Sequence, residues 1–167
     1  MIDGAKRQVG VTRSYDSGYH QLAYPNGDVP RETGVCTDVV IRAYRHAGAD
    51  LQVLVHEDMK RAFAAYPKNW GMQHPDPNID HRRVPNLATF FRRHGQSLPV
   101  TRRGADYRPG DIVTWRLLYG ATHIGVVSDV PVRGTDRQLV VHNIGSGAQI
   151  EDVLFAYAVT GHYRYGR

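Results

Sequence analysis

The sequence contains a single cysteine, Cys36, among its 167 residues. One cysteine excludes an internal disulfide, a zinc ribbon and a CxxC redox motif. The chain also lacks an apolar run near the roughly 18 to 20 residues that a membrane-spanning helix needs, and it has no internal repeat or low-complexity stretch. A membrane span, a collagen, a coiled coil and wholesale disorder are therefore not expected. Cys36 is either a small buried hydrophobe or a reactive thiol.

The composition is that of a globular protein with many loops: 41% hydrophobic and 22% charged residues, with 17 glycines and 9 prolines. A chain of this length can bury a core without disulfide or metal cross-links. We therefore expect one domain over residues 1–167, acting as a monomer.

Basic residues outnumber acidic ones, 21 Lys and Arg against 16 Asp and Glu, which gives a formal charge of +5. This sign suits nucleic acid, an acidic cell-wall polymer or an anionic membrane surface as partner, and it also suits a solvated basic face. Residues 1–7 contain no apolar signal-peptide core. We expect either a cytosolic protein or a mature chain whose export segment has been removed.

Apolar residues recur at spacings of three and four in the first part of the chain, which predicts helices. The predicted helices cover residues 36–47, 51–66 and 84–94. Beyond residue 99 the period changes to two, which predicts strands. The predicted strands cover residues 111–115, 123–128, 139–143, 153–159 and 162–165. Helices followed by closely connected strands indicate an α+β fold, with the helices packed on one antiparallel sheet of five to six strands.

The start of the first predicted helix is a position where Cys36 could be activated. A cysteine attacks as the thiolate, and a free pKa of about 8.5 leaves little thiolate at neutral pH. Unpaired amides and the positive end of the dipole at a helix start favour an anion there. A nearby imidazole would complete the activation and return a proton to the leaving amine.

His123 and His142 are the candidate imidazoles, because they lie on neighbouring predicted strands. Adjacent strands run about 4.8 Å apart, so two rings that share a face and register reach hydrogen-bond distance. Asn143 points to the face opposite His142. A regular strand therefore offers His142 or Asn143 as the group that orients His123, but not both.

Several segments, in this order, resemble those of the NlpC/P60 cysteine peptidases, which have a papain-like fold. They are Tyr24 followed by Cys36 at a helix start, residues 107–113 with a Pro-Gly-Asp turn, residues 123–127 and residues 140–142. Residues 34–40, 78–86 and 141–145 resemble the bacterial family called domain of unknown function 1287 (DUF1287). This second likeness extends from about residue 9 to residue 165.

The resemblance implies a hydrolase that cleaves an amide bond of bacterial peptidoglycan through a thioester, with no cofactor or metal. Cys36 would match the nucleophile, His123 the general base, and His142 the residue that orients the imidazole. Tyr24 would match a tyrosine whose hydroxyl joins the Cys36 amide in binding the oxyanion. Such enzymes commonly work outside the cytoplasm, which implies the periplasm or cell envelope.

The chain departs from the NlpC/P60 pattern around the nucleophile. That family has Asp-Cys-Ser-Gly, whereas residues 35–38 are Val-Cys-Thr-Asp, so the acidic residue follows the cysteine. Substrate contacts of the family aspartate do not transfer. Asp38 is expected either to bind substrate or to satisfy amides at the helix start.

Asp80, Arg82 and Arg83 are predicted to form a substrate-reading loop. Arginine binds carboxylates in a two-bond fork, and cell-wall stem peptides carry free carboxylates. The alternative is that both arginines simply precede a helix.

Three alternatives to hydrolysis are zinc binding, cell-wall binding without cleavage and nucleic-acid binding. Cys36, His123 and His142 could bind zinc, since one cysteine and two histidines leave an open position on the metal. The fold could instead be a binding module that holds an anionic wall polymer without cleaving it. Nucleic-acid binding is not expected, because no recognition helix of interleaved basic and aromatic residues is present.

Overall fold

The computed structural model describes residues 1–166 and has four α-helices and one large antiparallel sheet, as the α+β prediction requires. The helices are α1 (Ile2–Lys6), α2 (Cys36–His46), α3 (Leu51–Ala62) and α4 (Val84–His94). Two short strands, β1 (Ser14–Tyr15) and β2 (Thr33–Gly34), pair in parallel just before α2.

The large sheet has six strands in the order β3-β8-β4-β5-β6-β7, and every neighbouring pair is antiparallel. Its strands are β3 (Gln96–Ser97), β4 (Ile112–Arg116), β5 (Thr122–Pro131), β6 (Gln138–Asn143), β7 (Ala148–Glu151) and β8 (Ala158–Arg164). The two strands that carry the candidate histidines, β5 and β6, are adjacent.

Apolar residues pack on both faces of this sheet. On one face Ile124 and Val141 contact residues of α2, α3 and α4 in the larger core cluster. On the other face Val127 and Val140 contact Trp115 and Leu154. Alternate residues of the strands therefore serve opposite faces, and burial on both sides holds the sheet rigid beneath the start of α2.

The structure corrects some predicted boundaries. The second helix ends at Ala62, where the backbone leaves the helical region, and residues 63–65 form a 3₁₀ turn. The predicted strand at 153–159 is mostly a turn, because Trp115 Nε1 donates to the carbonyl oxygen of Leu154 and holds it against β4. Strand β8 covers only the last two residues of that segment and continues through most of the predicted strand at 162–165. Sequence patterns did not predict α1 or β7.

No helix within residues 1–166 has both the length and the apolar character needed to cross a membrane.

Candidate active site

Cys36 is the first residue of α2, and Asp38 fixes that helix start. The Asp38 carboxylate accepts the backbone N–H of Val35 at 2.7 Å. An N–H in the first helical turn has no carbonyl partner within its own helix. The amide of Cys36 is therefore a donor that its helix does not use.

The sulfur of Cys36 is buried, with 3% of the residue exposed, yet its neighbours are polar. Burial raises the pKa of the thiol, while the N–H groups of Ile124 and Thr37 and the hydroxyl of Tyr15 lower it. Burial has the larger effect, so the uncharged thiol is the resting form. The expectation that the helix start lowers this pKa is wrong, because the sulfur is withdrawn from water as well as placed at the helix end.

The sulfur lies beside the backbone of His123, since the N–H of Ile124 belongs to the peptide bond that follows His123. Strands β5 and β6 pair at Val126 with Val141, and no pairing is found closer to His123. Helix α2 packs against β5 and β6. Burial and the charge of a protonated His142 lower the pKa of His123, so its ring rests as the neutral imidazole.

His123, His142 and Glu151 form a continuous row of hydrogen bonds, which we call the histidine relay. Nε2 of His123 lies 3.0 Å from Nδ1 of His142, and Nε2 of His142 lies 2.9 Å from Oε2 of Glu151. A carboxylate only accepts, so Nε2 of His142 carries its proton and donates it to Glu151. Nδ1 of a neutral His142 must then accept from Nε2–H of His123.

This order of donors leaves Nδ1 of His123 unprotonated. Within residues 1–166, Nδ1 has no hydrogen-bond partner. The sulfur contacts the backbone that follows His123, through the N–H of Ile124, and an imidazole with a free lone pair can accept a thiol proton when its ring turns toward the sulfur. Glu151 thus sets the tautomer of both histidines, as second partners of histidines generally do.

Gly125 makes room for the relay on β5. A side chain there would bring its Cβ within 2.8 Å of Val140 Cγ1 and 3.2 Å of His142 Cβ. His123, Gly125 and His142 share one face of the sheet, so an added methyl group would push His142 away. The glycine in the His-Ile-Gly segment is required by this close approach.

Asn143, the alternative to His142, does not touch His123. Its side-chain amide donates to the carbonyl oxygen of Gly34 at 2.9 Å and to that of Ser14 at 3.4 Å. It therefore ties β6 to the β1–β2 pair in front of Cys36. The period-two argument predicted that only one of the two residues could contact His123, and the structure brings His142 to it.

Tyr24 is not at this site, contrary to the expectation. Its hydroxyl donates to Glu57 of α3, and its ring packs against His56. The hydroxyl beside Cys36 belongs to Tyr15, which β1 holds next to β2. Burial and the nearby thiol raise the pKa of Tyr15, which keeps its hydroxyl a proton donor.

Asp38 and Arg82 bind each other rather than a ligand. Arg82 Nε and Nη2 lie 3.0 Å from the two carboxylate oxygens of Asp38, and both side chains are buried. The remaining guanidinium bonds go to the carbonyl oxygens of Asp16 and Gly18. The pair holds the segment of Tyr15 against α2. Arg82 also lines the cleft beside Cys36, and a substrate contact of Asp38 or Arg82 stays a prediction.

Asp80 and Arg83 differ from that pair. Asp80 is buried and accepts the backbone N–H of Asp76 at 2.5 Å, and it does not line the cleft. Burial raises its pKa to about 6. Arg83 lies in a cleft of about 160 Å³ that opens beside Cys36. This Cys36 cleft is lined by Tyr15, Ser17, Val35, Cys36, Trp70, Ile79, Arg82, Arg83, Val84, Pro85 and Thr122.

The arrangement disfavours zinc at Cys36, His123 and His142. The two imidazoles use ring nitrogens on each other, and His142 gives its second nitrogen to Glu151. Over residues 1–166, no group of three or more His, Cys, Asp or Glu side chains is placed to hold a metal ion.

Sequence reasoning missed Tyr15, Glu151 and Trp70. Tyr15 could have been suspected only as one of ten tyrosines, since its two-residue strand leaves no periodic signal. Glu151 lies on a strand of four residues that was not predicted. Trp70 lies in a loop, where the residue type alone does not predict which side chains it contacts.

Comparisons with known proteins support one family. A family model described as "Domain of unknown function (DUF1287)" matches residues 2–165. The chain is also similar to "Uncharacterized protein YijF" of Escherichia coli (strain K12), with 60% identity over 166 residues, which cover 99% of this chain and 80% of that protein. Neither description states a reaction or a ligand.

Proposed function

Because the chain belongs to the DUF1287 family, whose description names no activity, its function must be inferred from the site, and we propose that it is a cysteine hydrolase. It cleaves an amide bond through a thioester on Cys36. The observation that carries this proposal is the histidine relay, which leaves Nδ1 of His123 without a hydrogen bond, on the residue whose following N–H contacts the buried sulfur.

The first step forms the acyl-enzyme. The Cys36 thiol passes its proton to Nδ1 of His123 as the sulfur attacks the amide carbonyl carbon. The oxyanion of the tetrahedral intermediate accepts hydrogen bonds from the Cys36 amide and the Tyr15 hydroxyl. The carbon–nitrogen bond then breaks, and the imidazolium of His123 gives its proton to the departing amine.

Hydrolysis of the thioester returns the enzyme to its starting state. His123 takes a proton from water as the water oxygen attacks the thioester carbon. The carbon–sulfur bond breaks, the sulfur regains the proton, and the product leaves as a carboxylic acid. His142 and Glu151 keep Nδ1 of His123 available as the base in both half-reactions.

A papain-like fold of the NlpC/P60 type is part of the proposal. It is supported by the order of the elements, with the cysteine at the start of a helix and the two histidines on adjacent antiparallel strands after it. The proposed substrate is a peptide amide of bacterial peptidoglycan, and the proposed location is the periplasm or cell envelope. The formal charge of +5 supports contact with an anionic wall.

Digestion of purified sacculi, followed by mass spectrometry of the fragments, tests the reaction. The unaltered protein should release new fragments whose masses show the addition of one water per cleaved amide. Cys36→Ala should release none while keeping its circular dichroism spectrum. Equal release by Cys36→Ala would refute the proposal.

Binding without cleavage is the second candidate, favoured by a separate cleft between α1 and α2. This cleft of about 350 Å³ is lined by Arg7, Arg31, Arg42 and Arg45, with Asp28 as the acidic side chain. Sacculi that stay chemically intact but retain the protein would support this function. Loss of that retention in an Arg7→Gln, Arg31→Gln double variant would assign it to the cleft.

A further inference from the structure

Arg83 is a mostly buried arginine whose guanidinium N–H groups donate no hydrogen bond within residues 1–166. Its neighbour Arg82 donates to Asp38 and to two backbone carbonyls. The Arg83 side chain, 19% exposed, has no hydrogen-bond acceptor within residues 1–166, and its Nη1 is shielded from water. An unsatisfied buried guanidinium nitrogen is costly, and a bound anion would satisfy it.

Trp70 holds the Arg83 guanidinium in the Cys36 cleft. The guanidinium carbon lies 4.4 Å from the centre of the Trp70 ring, which is a cation–π contact. Trp70 itself is 60% exposed. This contact holds the guanidinium over the ring without using any of its N–H groups, and a guanidinium can bind a carboxylate through two of them.

Asp80 does not neutralise Arg83 by a hydrogen bond. Oδ1 of Asp80 lies 3.9 Å from Nη1 of Arg83, and both atoms are buried without a hydrogen-bond partner. The raised pKa of Asp80, about 6, shows that burial opposes its charge. At neutral pH the Asp80 carboxylate offsets part of the charge of Arg83 at this distance, but it takes none of the guanidinium's hydrogen bonds.

The rest of the cleft suits a peptide. Val35, Ile79, Val84 and Pro85 provide apolar wall next to Cys36. We propose that Arg83, stacked on Trp70, binds a free carboxylate of the substrate close to the bond that Cys36 attacks, so that the substrates are peptides carrying a carboxylate there. This inference rests on the proposed hydrolase for its catalytic meaning, but the binding step can be measured without turnover.

The binding test uses full-length Cys36→Ala protein and peptidoglycan fragments of two kinds. One sample is left untreated, and in the other the carboxylates are converted to amides with ammonia and a carbodiimide. Isothermal titration calorimetry should show binding of the untreated fragments about tenfold or more tighter, the value of one charge-assisted hydrogen bond. Adding Arg83→Gln should remove this difference, whereas Arg102→Gln, at an exposed arginine outside the cleft, should preserve it.

Equal affinity for the two samples, or no binding of the untreated one, overturns the role of Arg83. If Arg83→Gln fails to fold, Trp70→Leu provides the second variant and should weaken the preference for carboxylates. Turnover by the protein with Cys36 intact is measured on the same fragments. Cleavage without a carboxylate preference refutes the inference alone, while carboxylate-dependent binding without any cleavage refutes the hydrolase alone.

Discussion

Tyr15 and Tyr24 form a matched pair for testing which hydroxyl stabilises the oxyanion. Tyr15 is a polar neighbour of the Cys36 sulfur, whereas the hydroxyl of Tyr24 donates to Glu57. Tyr15→Phe should lower kcat by about 100-fold with little change in KM, because removal of one oxyanion donor costs this much. Tyr24→Phe should leave kcat within a factor of two. Steady-state kinetics on one amide substrate checks both, and equal effects of the two changes would contradict the assignment.

Glu151 is a positioning residue that acts through His142. With 46% of its side chain exposed, Glu151 contributes little to packing. In Glu151→Gln the side-chain amide can donate to His142 Nε2, which would reverse both tautomers and protonate Nδ1 of His123. We expect kcat to fall about 10- to 100-fold, the usual cost of losing such a partner, with the unfolding midpoint nearly unchanged.

The pH profile separates this role from a structural one. The Glu151 carboxylate raises the pKa of His142 against the lowering by burial. Removing that charge should therefore move the acidic limb of kcat/KM to lower pH, and Glu151→Asp should restore part of the rate. Asp152→Asn, which removes the next carboxylate, paired with Arg137, should move neither. An unshifted acidic limb in Glu151→Gln would count against the relay.

The start of α2 and the segment that carries Tyr15 depend on the buried Asp38–Arg82 pair. Removing one partner of such a pair leaves an uncompensated charge and costs about 3 to 5 kcal/mol. Arg82→Gln should lower the free energy of unfolding by this amount, measured by urea denaturation, because Asp38 loses two hydrogen bonds and the carbonyls of Asp16 and Gly18 lose one each.

Arg92→Gln on the exposed side of α4 provides the control and should cost no more than about 0.5 kcal/mol. The double variant Asp38→Asn, Arg82→Gln should recover part of the lost stability, since no buried charge then remains. If Arg82→Gln were as stable as the control, the pair would not hold this region together.

Helices were easier to predict than strands, because a helix that buries one side leaves a periodic apolar pattern in its sequence, whereas a short edge strand does not. The segment from Cys36 to His46 buries one apolar stripe under the sheet, so a spacing of three and four residues is visible in its sequence. Strands β4 to β6 are buried on both faces, and their β-branched residues make them visible as well. Residues 148–151 form a short edge strand that only β6 defines, and no local pattern predicts it.

The contact between His123 and His142 was predictable from order along the chain, because the two residues lie on adjacent strands. The position of Cys36 at the start of a helix was also predictable. Tyr15 and Glu151 reach them through short pairings between distant segments, which sequence spacing does not encode. Arg82 and Arg83 look equivalent in the sequence. Both line the cleft, and only the structure shows that Asp38 and two backbone carbonyls hold Arg82 while the Arg83 side chain makes no hydrogen bond within residues 1–166.

At the scale of the whole molecule, the buried neutral His81 makes the free energy of unfolding depend on pH. Burial and the nearby charge of Arg82 lower the pKa of His81 to about 4. The unfolded chain, with an imidazole pKa of about 6.5, binds a proton between these values that the native protein does not. The contribution of His81 to the free energy of unfolding is therefore complete above pH 6.5. It is lost as the pH falls toward 4, by up to about 1.4 kcal/mol per pH unit.

Comparing variants isolates this effect from groups of opposite sign such as Asp80, whose raised pKa favours the native state at the acidic end. His81→Gln should show a smaller loss of unfolding free energy between pH 6.5 and 4.5 than the unaltered protein. His46→Gln, at an exposed histidine, should keep the original slope. Urea denaturation at four pH values measures all three, and parallel slopes would contradict a neutral native His81.

The relay ends at a carboxylate on the outermost strand of the large sheet, and that carboxylate is not part of the cleft wall. Bulk solvent therefore reaches the far end of the buried imidazole pair at the half-exposed Glu151, and it reaches Cys36 separately through the cleft. An acyl group or a covalent inhibitor on Cys36 would block solvent at the Cys36 cleft but not at Glu151. Hydrogen isotopes from solvent could still exchange with the His142 proton through Glu151 while the Cys36 cleft is blocked. The proposed base could therefore regain its protonation state before the product leaves.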